Sequence, residues 1–222
     1  GVKFFTDRKV RRAVAHAINR EAMVKALVGK PSEVIHSPCH PDQFGCTDEV
    51  MKYDYNPEKA KKLLAEAGYP DGFSVDFYAY REREYAEAII GDLAAVGIKA
   101  KLYFLQYSAL LKKVRAGEVP ITNMTWGSSS ILDVSASAGH FFTGTADDLA
   151  GDKTVTKLIN EADGIVDEEK RAAIWKQALE RIAEEAYWVP LFSYIKHFGF
   201  SKELDFQVPN DEIPRFFNSK WK

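Results

Sequence analysis

The chain has 222 residues, a formal net charge of -2, and 46% hydrophobic residues. That is apolar material enough for one large core or two small ones. Acidic and basic side chains nearly balance and form no Lys/Arg stripe, so the electrostatic case for nucleic acid is absent, and no apolar run approaches the ~20 residues of a bilayer span.

The opening GVKFFTD has neither an initiator methionine nor a signal peptide and reads as a processed or shortened chain. TDRKVRRAVAHAINREAMVKALVG is helical. Val10, Val14, Ala17 and Ile18 recur on one face, with Arg11, Arg12 and His16 expected elsewhere. Thr6 or Asp7 can cap the start, and Asn19 can cap a second helix running through Met23 and Leu27 to Gly29. Residues 30–56 are rich in Pro, Asp, Tyr and His, and an irregular connection of roughly 25 residues needs something to hold it. Asn56 and Pro57 then start a helix with Ala60, Leu63, Leu64 and Ala67 inward, which Gly68 ends.

The period changes at SVDFYAY. Ser74 to Tyr80 alternates, with Val75, Phe77 and Ala79 on one side, and reads as a strand. Residues 83–96 return to helical spacing and stop at Gly97. Ile98 to Leu105 is a second strand. Ser108 is placed to cap a short helix closed by Gly117. Val119 to Trp126 is a third strand, which Pro120 pushes toward an edge. Strand, helix, strand, helix, strand with short links predicts a mainly parallel sheet in an α/β fold. Val155, Leu158, Ile159 and Ala162 mark a further helix. Asp167 caps another, with Ile174, Ala178 and Ile182 inward. Trp188 to Phe200 reads as extended chain, and the tail after Ser201 as irregular coil. No internal repeat is evident.

The pieces FTDRKVRRAVAHAINREAMVKALV, YDYNPEKAKKLLAEAGYPDGF, LAAVGIKAKL, MTWGSSS and DEEKRAAIWKQALERIAEEAYWVPLF occur in this order. Together they resemble the C-terminal half of the bacterial extracellular solute-binding proteins of family 5, the peptide- and nickel-type binding proteins of ABC importers. The resemblance implies a type II periplasmic-binding-protein lobe, three layers with helices flanking the sheet. It implies a periplasmic or extracellular protein, lipid-anchored in some members, whose two lobes close on a solute like a hinged clamp. Residues 1–200 then form one lobe. Residues 201–222 form a tail returning toward an N-terminal lobe that this sequence lacks. The implied partners are a small-molecule or peptide solute and an ABC permease, with no catalytic residue, metal or cofactor.

In that family the segment after the third strand lines the ligand cleft, and here it reads TWGSSSILDVSASAGHFF. Independently, ligands of open parallel sheets bind beyond the carboxyl ends of the strands. Trp126 sits at such an end and offers an apolar face and one N–H; Gly127, Ser128, Ser129 and Ser130 offer backbone groups and hydroxyls. The plainer alternatives are core packing for Trp126 and a solvated turn for the serines. Peptide-binding members carry an Asp three residues after the Trp, pairing with the peptide amine. That position is Ser129, which weakens the peptide reading, because a buried ammonium needs a counter-charge. Asp133 can substitute, or can cap the next helix. Tyr80 and Arg81 end the first strand of the same sheet, where Arg81 can clamp a carboxylate or lie in the charged run REREYAE. Tyr103 and Tyr107 flank the end of the second strand.

SPCHPDQFGC holds both cysteines. His36, Cys39, His40 and Cys46 are four potential zinc ligands, but adjacent Cys39 and His40 cannot easily reach one metal, and the spacing is not that of a zinc knuckle. A catalytic Cys–His pair normally meets through the fold rather than as neighbours in sequence. The exported location implied by the family favours the third reading, a Cys39–Cys46 disulfide that stiffens the irregular segment. An α/β enzyme is the main functional alternative, and no G-x-S-x-G, P-loop or G-x-G-x-x-G stands in the right context for one. A peptide-binding, chaperone-like module is the other.

Overall fold

The computed structural model describes residues 2–128, 131–209 and 213–222. Helix α1 spans Arg8–Ala17, its first turn closed by the Asp7 carboxylate accepting from the Lys9 amide at 2.7 Å. The chain straightens at Ile18, and the Asn19 side chain caps α2, Arg20–Met23, by accepting from the Ala22 amide. A wider π turn continues to Val28 and ends at Gly29. Helix α3, Pro57–Glu66, starts as expected on Asn56, which accepts from the Lys59 amide at 2.9 Å.

The sheet has the order β2-β1-β3, all parallel. Strands β1, Phe73–Ala79, and β2, Ile98–Phe104, pair over their full lengths, and α4, Arg83–Ala95, crosses between them. Gly72 has φ +74°, and a Cβ there would lie 1.9 Å from the Gly97 carbonyl oxygen, so both strand entries need glycine. Helix α5, Tyr107–Arg115, leads to β3, Ile121–Thr122. One face of the sheet packs Val75, Phe77 and Ala79 against α1, α3 and α4. The other packs Tyr78 against Leu110 and Val114 of α5. This is the expected three-layer α/β arrangement.

Several expectations are corrected. Ser108 lies inside α5 and caps nothing; Gln106 holds the N-cap position without a side-chain bond. Strand β3 is two residues rather than eight. Pro120 has no N–H to donate, and the Tyr78 carbonyl is shared between the Asn123 amide at 2.9 Å and the Thr122 hydroxyl at 3.0 Å. His16 is not on the open face of α1. It is 3% exposed, covered by Tyr53, with Nδ1 2.8 Å from the Asp54 carbonyl oxygen. Burial lowers its pKa, the Asp54 hydrogen bond opposing in part. The tail contains a two-stranded antiparallel ribbon, β4 (Leu204–Asp205) with β5 (Lys220–Trp221), rather than coil alone.

A second core lies apart from the sheet. Helices α7, Lys153–Asp163, and α8, Glu168–Glu185, pack Val155, Ile159, Ala178 and Ile182 around the fully buried Trp175. Ile174 is only half-buried; Trp175 and Leu179 take the central places. Helix α6 is a single turn, Ala138–Phe141. Among the described residues no helix is long and apolar enough to cross a membrane.

Candidate ligand-binding site

Of the expected site residues, Tyr80 and the Trp126 segment meet beyond the carboxyl end of β1, while Arg81 and Asp133 have partners of their own. The Tyr80 hydroxyl lies 2.6 Å from Thr125 Oγ1, which ties the end of that strand to the residue before Trp126. Trp126 is 44% exposed, so the indole is not sealed in the core. Its N–H donates to the Ala136 carbonyl at 2.8 Å. One ring face stacks on His140 at 4.7 Å and 21°, and Phe141 meets it edge-on at 4.8 Å. The polar handle is therefore committed internally, and an apolar π surface is what faces outward. Gly127 is exposed and Ser128 half-buried, its carbonyl accepting from the Ile131 amide at 3.0 Å. Ser129 and Ser130 lie outside the described residues. Ile131 and Leu132 add exposed aliphatic surface, 52% and 56%.

The shelf behind the indole was not visible in the sequence. His140 Nε2 lies 2.9 Å from the Asp147 carboxylate, which also accepts two bonds from Arg115, at 2.7 and 2.9 Å. The Arg115 guanidinium holds the Asp147 carboxyl below its ordinary range, against its burial. His140 and Asp147 lie seven residues apart, but the Arg115 that holds Asp147 comes from α5, 32 residues earlier, so the set is not marked by any local motif.

Asp133 has two local partners. Its carboxylate accepts from Arg171 at 2.6 and 2.9 Å and from the Ser135 amide at 2.9 Å, capping a short 3-10 turn, Val134–Ala136. Burial pushes this carboxyl up, but the Arg171 and Ser135 bonds outweigh it and leave it at about 2. The charge is matched within the protein. Arg81 is likewise engaged: Nε donates to Glu82 at 2.7 Å, Nη2 donates to the Tyr194 hydroxyl at 3.0 Å, and the guanidinium lies 5.1 Å from the Tyr194 ring centroid. Glu82 also accepts from the Tyr194 hydroxyl. Burial and then that bond push Tyr194 up to about 12. Tyr103 stacks on Tyr78, and Tyr107 packs on Tyr80.

Cys39 and Cys46 form a disulfide. Both sulfurs are consumed in the bond, which removes the thiolate that the zinc and nucleophile readings require. The closed loop pairs with the site segment: the Phe44 amide donates to the Leu132 carbonyl at 3.0 Å, and the Val134 amide to the Phe44 carbonyl at 2.9 Å. Gly45 has φ +77°, and a Cβ there would meet Val134 Cγ1 at 2.9 Å, so glycine lets the loop lie this close.

A parallel sheet clad on both faces defines an α/β lobe, and the exposed indole beyond its strand ends is the candidate ligand surface. Residues 1–148 match the family described as bacterial extracellular solute-binding proteins, family 5, middle region, and the chain belongs to that family. It is 31% identical over 199 residues to heme-binding protein A of Haemophilus influenzae, covering 84% of this chain and 36% of that protein. It is 32% identical over 186 residues to a dipeptide-binding protein of Escherichia coli, covering 78% of this chain and 35% of the relative. The periplasmic binding protein DppA from Helicobacter pylori, solved with the peptide STSA, superimposes with a TM-score of 0.79 at 28% identity, covering 86% of this chain and 39% of that one. The chain thus spans little more than a third of the length of these relatives.

Proposed function

We propose that residues 1–200 form one lobe of a two-lobe solute-binding component of an ABC importer, and that residues 201–222 return toward the other lobe. The protein captures a small solute in the cleft between lobes outside the cytoplasmic membrane and hands it to the permease, without chemical change. The observation that carries this reading is the exposed face of Trp126, held in one orientation beyond the strand ends. Relatives named for dipeptide and heme binding support capture of a small solute as the role.

On this side of the cleft, Trp126, Gly127 and Ser128, with Ser129 and Ser130, contact the solute. Asp133 braces the segment and Tyr80 anchors it. Asp133 is the sole acidic residue in the stretch from Trp126 to Val134, and Arg171 already neutralises it. The segment therefore grips an apolar or flat part of the solute and leaves any free amine to groups elsewhere. Arg81 holds the end of β1 to Tyr194 and is available to a solute carboxylate only by exchanging its Glu82 partner.

The test is thermal shift of the intact protein against di- to tetrapeptides and heme, with product analysis of each mixture. A binder melts higher with its solute and leaves that solute unaltered. Trp126→Ala should weaken the binding about tenfold or more, the range of an aromatic anchor lost from a pocket. Turnover of the solute, or full affinity in Trp126→Ala, would overturn the reading.

A further inference from the structure

We propose that Gln43 is a positioning residue for the solute-facing segment, with the disulfide-closed loop as the template that carries it. The proposal rests on the reading of residues 126–134 as the solute contact.

Gln43 is 5% exposed and sits between Cys39 and Cys46. Its Oε1 accepts from the His40 amide at 2.8 Å, inside the loop. Its Nε2 donates to the Ile131 carbonyl at 3.2 Å and to the Asp133 carbonyl at 3.3 Å, across the gap. One carboxamide therefore closes the loop on itself and pins the segment on both sides of Leu132. The Phe44 backbone fixes Leu132 between those two points and Val134 just beyond them. The pinned stretch runs into the turn Val134–Ala136, and the Ala136 carbonyl receives the indole N–H of Trp126. A continuous set of hydrogen bonds thus leads from the loop to the exposed ring.

The chemistry asks for an amide. Two backbone carbonyls need donors, and one backbone N–H needs an acceptor, from the same buried side chain. Methionine fills the volume and supplies neither. Glutamate keeps the acceptor and supplies one donor when protonated, none when ionised. Gln43→Glu therefore makes the brace titratable.

The experiment is hydrogen exchange of the intact protein, without solute, read at 131–136 and at the sheet, 73–104, as internal reference. Gln43→Met should speed exchange of the Val134 and Ala136 amides about tenfold while the sheet stays at the wild-type rate, since local opening is separable from global unfolding. Gln43→Glu, compared with wild type at each pH, should exchange between wild type and Gln43→Met at low pH and like Gln43→Met once its carboxyl ionises. The proposal is overturned by an unchanged rate at 131–136, by equal acceleration in the sheet, or by a Gln43→Glu variant with no pH dependence relative to wild type. Because no solute is added, failure here leaves the solute reading standing, and failure of Trp126→Ala to alter binding leaves the brace standing.

Discussion

From Phe73 to Arg115 the molecule is held by parallel backbone pairing and buried aliphatic and aromatic faces; from Trp126 to Asp152 a smaller buried set, Val134, Ala138 and Phe142, is joined by polar side chains reaching across. In the first region β1 and β2 pair residue by residue, and Phe77, Leu93 and Ile98 are almost wholly buried. In the second the regular elements among the described residues are a single 3-10 turn and the four-residue α6. There Gln43, Arg171 and Arg115 each bond a site-side group from elsewhere in the chain, and Arg181 and Tyr187 both bond Asp152. Apolar burial is forgiving of detail, whereas each polar cross-link demands a particular partner. The region proposed to face the solute relies more on the second, which fixes side-chain orientation without a long strand or helix.

The largest test of this contrast is Phe77→Ala, which should cost about 3–5 kcal/mol of global stability by denaturant unfolding, the range for a fully buried aromatic. Trp126→Ala should cost less, about 1–2 kcal/mol for its hydrogen bond and two ring contacts, since much of that ring is already exposed. Equal losses would erase the distinction between the regions. Next comes Cys39→Ser with Cys46→Ser. Chain-entropy arithmetic for so short a loop gives about 2–3 kcal/mol.

Asp133→Asn follows, at about 1–2 kcal/mol, because Arg171 loses its close counter-charge at a half-buried site and keeps only Asp163 at 3.7 Å. The sign with pH is fixed. The folded-state pKa of Asp133 lies at about 2, below its ordinary value, so its contribution is complete above about pH 4 and is lost as pH falls toward 2. Asp133→Asn should flatten that acid limb. The smallest effect is that of His16. Burial lowers its folded pKa, so acidification below about pH 6.5 favours the unfolded state, which takes up the proton more readily. His16→Gln should reduce the loss of melting temperature between about pH 6.5 and 5 and leave the higher range unaltered.

The sheet region was legible because its signals are local. Asn56 with Pro57, and Gly97 and Gly117 after the crossover helices, mark boundaries within a few residues of where they fall. Val75, Phe77 and Ala79 alternate as a half-buried strand must. Trp126 was legible from its place after the third strand. What was not legible depends on chain brought from far away. His16 has a helical spacing that reads as solvent-facing, and only Tyr53 and Asp54, from an irregular stretch, cover it. Gln43 looks like an ordinary loop residue until its partners at 131 and 133 are known. The ribbon of β4 and β5 has two-residue strands, too short to show alternation.

Hydroxyl-radical footprinting of the intact protein, with and without a saturating solute identified by thermal shift, addresses the central claim most directly. Trp126 oxidation should fall sharply on saturation, while the fully buried Trp175 stays unreactive in both states. An equally reactive Trp126 in the solute-loaded and solute-free protein would contradict the assignment of this indole to the solute.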